Sequence, residues 1–154
     1  PALDLVKRIA ASDERTSFVG SNFFYEDVSG RGIEEDEHEL AETTDQYYVV
    51  RNTPKKPKLV EFASYKMWID RETFLPMKAE YVDDKGKVYR RYEVLETEVI
   101  QDYVTVTKAK MSSLASGNHT VLEYSDISYD IGLPEDIFSE RYLRRAPRRY
   151  LRGR

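Results

Sequence analysis

Between residues 59 and 130, apolar and polar side chains follow a period of two, the spacing of a half-buried β-strand. Tyr65, Met67 and Ile69 fall on one side of such a strand, and Lys66, Trp68 and Asp70 on the other. In the next run Met77, Ala79 and Tyr81 oppose Lys78, Glu80 and Val82; further on, Leu122 and Tyr124 oppose Val121 and Glu123. The pattern predicts strands over residues 59–70, 75–82, 87–98, 100–111 and 119–130. The turns between them are spelled out in polar residues. Asp70 to Thr73 is polar, Gly86 in Asp83-Asp84-Lys85-Gly86-Lys87 suits the positive φ of a short hairpin loop, and residues 112–118 are rich in Ser, Gly and Asn. The frame is an antiparallel meander.

Upstream the pattern is less regular. Residues 3–10 are short and apolar-rich and predict a strand, with a polar loop over residues 11–17. Phe23, Phe24 and Tyr25 fit neither simple period; they predict a helical turn, capped by Ser21 or Asn22, that plugs one end of the core. The acidic run of Glu34, Glu35, Asp36, Glu37, Glu39 and Glu42 reads as a solvated face or an edge strand. Residues 44–52 predict a further strand, ended by Pro54 and Pro57, which offer no backbone donor. Residues 133–143 predict a short helix with Pro134 in its first turn, acids at its start and arginines at its end. This divides the chain into one β-rich domain over residues 1–143 and a basic, Arg-rich tail over residues 144–154.

The two faces of the meander are unequal. One is apolar, while the other is mixed and carries Trp68, Val104 and Val106. An apolar sheet face must be covered, and one short C-terminal helix is too small for five strands. Helices outside this chain, a partner chain or an apolar ligand would each meet the shortfall, and so would curling of the sheet into a barrel.

Composition narrows this picture. The 154 residues suit one domain, and 34% charged against 40% apolar residues is a soluble globular balance. The lack of cysteine excludes disulfide and thiolate chemistry. The chain opens on Pro1 without a methionine, so a processed or trimmed product is expected. Net charge is −4, yet Arg141 to Arg154 alone contribute +7, which leaves −11 on residues 1–140. Such a tail suits peripheral contact with an anionic membrane or an acidic partner. An acidic body repels a phosphate backbone, so nucleic acid is not expected.

Little in the chain speaks for catalysis. Glu34, Glu37, His38 and Glu39 match no specific metal-site spacing, and His119 reads as a turn or edge residue. Asn118-His119-Thr120 fits a glycosylation sequon, a pattern frequent by chance. No nucleophile elbow, phosphate loop or dinucleotide fingerprint is present. A non-enzyme without a cofactor is expected.

Four segments carry a family likeness. Residues 18–28, with Gly20-Ser21 and Tyr25-Glu26-Asp27, resemble the signature of the outer-membrane lipoprotein-sorting family, the relatives of the LolA carrier. Trp68-Ile69-Asp70 with the following hairpin, Gly117 to Thr120, and Gly132-Leu133-Pro134 with Phe138 resemble later parts of the same family in the same order. The resemblance implies a mainly β fold: a curved, unclosed antiparallel sheet, or half-barrel, wrapped around helices over an apolar cavity. It also implies a periplasmic, non-enzymatic carrier of a lipid or lipoprotein acyl chain, with an inner-membrane transporter or outer-membrane acceptor as partner. On this likeness the chain corresponds to the C-terminal two thirds, its N-terminal covering elements missing. Alternation then makes Tyr65, Met67, Ile69, Met77, Ala79, Tyr81, Leu122 and Tyr124 the candidate wall of the ligand site. The alternative is a non-enzymatic protein-interaction module associated with a membrane transporter or envelope complex, docking through the open sheet and the tail.

Overall fold

The structure, a computed structural model, describes residues 15–144. The strand predicted over residues 3–10 and the tail beyond residue 144 lie outside the described residues.

Among the described residues, seven antiparallel strands form one sheet in the order of the chain: β1 (Asp36–Thr43), β2 (Tyr47–Pro54), β3 (Ser64–Asp70), β4 (Pro76–Val82), β5 (Val88–Ile100), β6 (Tyr103–Ser113) and β7 (His119–Glu123). β1 and β7 are both edges, so the sheet is open and the barrel alternative falls. β1 is the acidic run, and it is an edge strand exposed along most of its length. Only β5 and β6 reach the length expected of the meander, with 13 and 11 residues.

Several boundaries differ from expectation for local reasons. Residues 59–63 are not strand, because a short 3-10 turn over Pro57–Leu59 redirects the chain first. β2 runs through Pro54, which pairs opposite Asp36 at the last rung, where a missing donor costs little. The β5–β6 turn is the pair Gln101–Asp102, both at positive φ (49° and 68°), a tight reversal made without glycine. β7 stops at Glu123, where the N–H of Tyr124 makes a last bond to Thr107 O and the chain leaves the sheet. At the C-terminus the predicted helix is split into a 3-10 turn (Glu135–Phe138) and α2 (Glu140–Arg144) by extended Ser139, with Pro134 before the first turn.

The register sets the two faces. One row crosses all seven strands: Leu40, Val50, Met67, Ala79, Tyr92, Met111 and Thr120. The adjacent row runs His38, Asn52, Tyr65, Tyr81, Arg90 and Ser113. This is the inner face, and it holds Met111, Ala79, Ala109 and Tyr65 in the buried core. The outer face carries paired charges, with Glu80 bonded to Lys78 of its own strand (2.8 Å) and across to Arg91 (3.0 Å), and Lys110 across to Glu93 (2.9 Å). Trp68 lies on that face under the Lys78 ammonium, 4.2 Å from the ring centre.

A strap formed by residues 16–35 crosses one end of the inner face. It contains α1 (Tyr25–Ser29) and buries Phe23. The expected cap is corrected here. Neither Ser21 nor Asn22 caps α1; Asp27 reaches back to accept the Phe24 N–H at 2.6 Å. Asn22 anchors the strap to β7 instead, exchanging bonds with Thr120 at 3.0 and 2.9 Å.

Candidate functional site

Between the strap and the inner face lies a cavity of about 650 Å³. Its floor is the apolar row, with Met67, Ala79, Tyr92 and Met111 joined by Ala109 and Leu122. Phe18, Phe23 and Phe24 close it from the strap side, and Phe62, from the segment before β3, closes a corner. Phe62 meets Tyr65 and Tyr81 edge-on at 5.3 and 5.5 Å, and those two tyrosines stack at 5.3 Å. The aromatic corner is rigid by construction, since each ring fixes the next.

Charge is concentrated where strap meets sheet. Arg31 holds Asp36 with two parallel bonds (2.9 and 2.8 Å), and also reaches Glu26 at 2.5 Å and Glu35 at 2.9 Å. Asp36 accepts a further bond from the Tyr65 hydroxyl at 2.9 Å. Burial alone would raise the Asp36 pKa, but the bonds from Arg31 and Tyr65 outweigh it and hold it below the usual aspartate value. Burial, reinforced by that carboxylate, raises Tyr65, and burial also raises Tyr81. Arg90, 5% exposed, pairs with Asp27 of the strap and stacks over Phe24, 3.8 Å from the ring centre. Arg90–Asp27 thus ties the middle of the strap to the sheet, and Arg31–Asp36 ties its C-terminal part to the start of β1.

Of the eight residues expected to form the wall, Tyr65, Met67, Ala79, Tyr81, Leu122 and Tyr124 line the cavity. Ile69 and Met77 are not among its lining residues. For Met77 the reason is a bulge. Trp68 pairs with Lys78, but the next residue, Ile69, pairs with Pro76, so Met77 is skipped and Pro76 takes its place at the cavity. Alternation missed Tyr92, Ala109 and Met111, although the same parity rule applied to β5 and β6 finds them. It also missed Arg31 and Arg90, whose place depends on the strap. His38 binds Asn52 (2.6 Å) and the Ile33 carbonyl (2.7 Å), and no metal-binding cluster occurs among the described residues. His119 opens β7 at the sheet edge and is exposed. No helix among the described residues is long and apolar enough to cross a membrane.

The fold has known counterparts. Residues 1–145 match a protein family described as uncharacterized protein. The chain belongs to this family. No curated protein matches it. Among solved structures, it is similar to an outer membrane lipoprotein-sorting protein domain from Vibrio parahaemolyticus (30% identity, TM-score 0.82), covering 94% of this chain and 63% of that one. It is similar to a DUF1329 family protein from Desulfovibrio piger (29% identity, TM-score 0.80, 93% and 62% covered). A LolA superfamily protein from Nitrosomonas europaea gives 25% identity and a TM-score of 0.66, with 92% and 64% covered. The fold is therefore LolA-like, and the chain spans a little under two thirds of the length of each of these structures.

Proposed function

We propose that this domain is a carrier that holds an acyl chain between the inner sheet face and the strap, acting in the periplasm on a lipid or lipoprotein. The observation that carries the proposal is the cavity itself, about 650 Å³ with a floor of Met, Ala, Leu and Tyr side chains. Its size falls within the range of roughly 300–1,000 Å³ seen for small-molecule sites. Each methylene buried there contributes on the order of 0.8 kcal/mol, so a dozen supply about 10 kcal/mol before the cost of association. Binding of this kind needs no directional contact and no chemical step. The lipoprotein-sorting description of the Vibrio structure agrees with the reading. An inner-membrane transporter or outer-membrane acceptor would load and unload the site.

Fluorescence of N-phenyl-1-naphthylamine, an uncharged apolar probe, tests the proposal. The protein should bind it and brighten it. Met67→Asp puts a charge on the cavity floor, and Ala79→Phe fills it; each should weaken binding at least about tenfold while circular dichroism stays native. Undiminished binding in both folded variants would refute the site.

A further inference from the structure

The upper wall of the cavity carries polar groups that the fold itself leaves unused. Among the described residues at the cavity, Arg90 Nε and Arg15 Nε are buried donors without a hydrogen-bond partner, and the Tyr89 hydroxyl has none beyond the neighbouring Arg90 side chain, toward which it is an acceptor. Arg90 is 5% exposed, so solvent does not serve it. Arg90 acts on Tyr89 closely enough to lower its pKa, but burial is the larger influence and keeps the phenol protonated, hence a donor. Buried donors of this kind call for an acceptor oxygen.

The charges around them argue against a full negative charge on that oxygen. Of the described residues at the cavity wall, Arg15, Arg31 and Arg90 are balanced by Glu26, Asp27 and Glu61. Asp36 and Glu35 add two further carboxylates on Arg31. An extra anion would be buried against this surplus, and an extra cation would meet the unpaired Arg donors. An uncharged carbonyl satisfies the donors and leaves the balance intact.

We propose that the occupant is an acyl ester or amide with an uncharged head, its carbonyl seated at Arg90 and Tyr89 beneath the strap and its acyl chain along the Met67–Ala79–Met111 floor. The assignment rests on the carrier reading and adds the head-group class to it.

The test is displacement of N-phenyl-1-naphthylamine from the full chain by three twelve-carbon amphiphiles below their micelle concentrations: monolaurin, laurate and dodecyltrimethylammonium. Monolaurin should displace the probe at a concentration at least about tenfold lower than either ion. Tyr89→Phe, which removes the phenolic donor, should shrink that preference several-fold. Laurate matching or surpassing monolaurin, or an undiminished preference in the folded Tyr89→Phe variant, would overturn the assignment and leave the carrier reading standing. Failure of all three amphiphiles to displace the probe would overturn both.

Discussion

Asp27→Asn is the sharpest probe of how the strap is held. The Asp27 carboxylate does two things. It accepts the Phe24 N–H at 2.6 Å, and it neutralises Arg90. The amide is nearly isosteric, and its oxygen still accepts the Phe24 bond, so the substitution removes mainly the charge. The side chains of Arg90 and Asp27 are 6% and 11% exposed, so little water compensates the guanidinium once it is alone. Breaking a buried pair from one side costs roughly 3–5 kcal/mol, and the slight exposure of Asp27 places the expectation near about 3 kcal/mol. With a urea slope of about 2 kcal/mol/M for a domain of this size, the midpoint should fall by about 1.5 M. Replacing both partners, as Asp27→Asn with Arg90→Met, should recover part of the loss, because no uncompensated charge then remains. The two single changes should therefore be strongly non-additive. A midpoint within about 0.3 M of the parent for Asp27→Asn, or simple additivity in the double variant, would refute the view that this pair anchors the strap.

Four further outcomes follow from the geometry. Asp36 has a depressed pKa in the folded chain, so its contribution is complete above the ordinary aspartate value and is lost as the pH falls through the folded value; Asp36→Asn should flatten urea stability against pH below about 4. His38 faces two oxygens, which favours the imidazolium and raises its pKa, so its contribution is present below about 6.5 and lost as pH rises through the folded value; an NMR titration giving His38 a value at or below 6.5 would contradict this. Asp102, at φ 68°, carries a conformation that glycine adopts freely, so Asp102→Gly should be neutral or raise stability by up to about 1 kcal/mol, read as a rise in Tm. If the Arg-rich tail makes peripheral membrane contact, removing residues 145–154 should abolish sedimentation with anionic vesicles and leave naphthylamine binding intact; loss of probe binding would favour the interaction-module alternative.

The inner face was legible because it obeys a local rule. Tyr65, Met67, Ala79, Tyr81 and Leu122 follow from parity within single strands, and parity survives wherever the ladder is regular. It failed at Met77, where a bulge shifts the count by one and leaves no mark in composition. The Gln101–Asp102 turn was hidden for a similar reason: neither residue announces a positive φ as glycine or asparagine does. The strap was half legible. Phe23-Phe24-Tyr25 stood out as a plug, but its docking depends on Asp27 with Arg90 and Asn22 with Thr120, pairs separated by 63 and 98 residues. Contacts at that distance have no periodic signature. Asp36 shows the same limit, an acid in an exposed acidic run that proves to be 2% exposed because Arg31 folds back to meet it.

The meander order also has a kinetic consequence. Every strand pairs with its neighbour in the chain, so each rung closes over a short turn. The strap alone must bridge long stretches of chain, as its 98-residue link from Asn22 to Thr120 shows. Loop-closure entropy grows by about 0.6 kcal/mol per doubling of length, so docking the strap costs on the order of 2–3 kcal/mol more than closing a hairpin. Contacts of the strap should accordingly form after the rate-limiting step, and weakening them should hasten unfolding while leaving the folding rate almost unchanged. The element that closes the cavity would be the last to arrive and the first to leave.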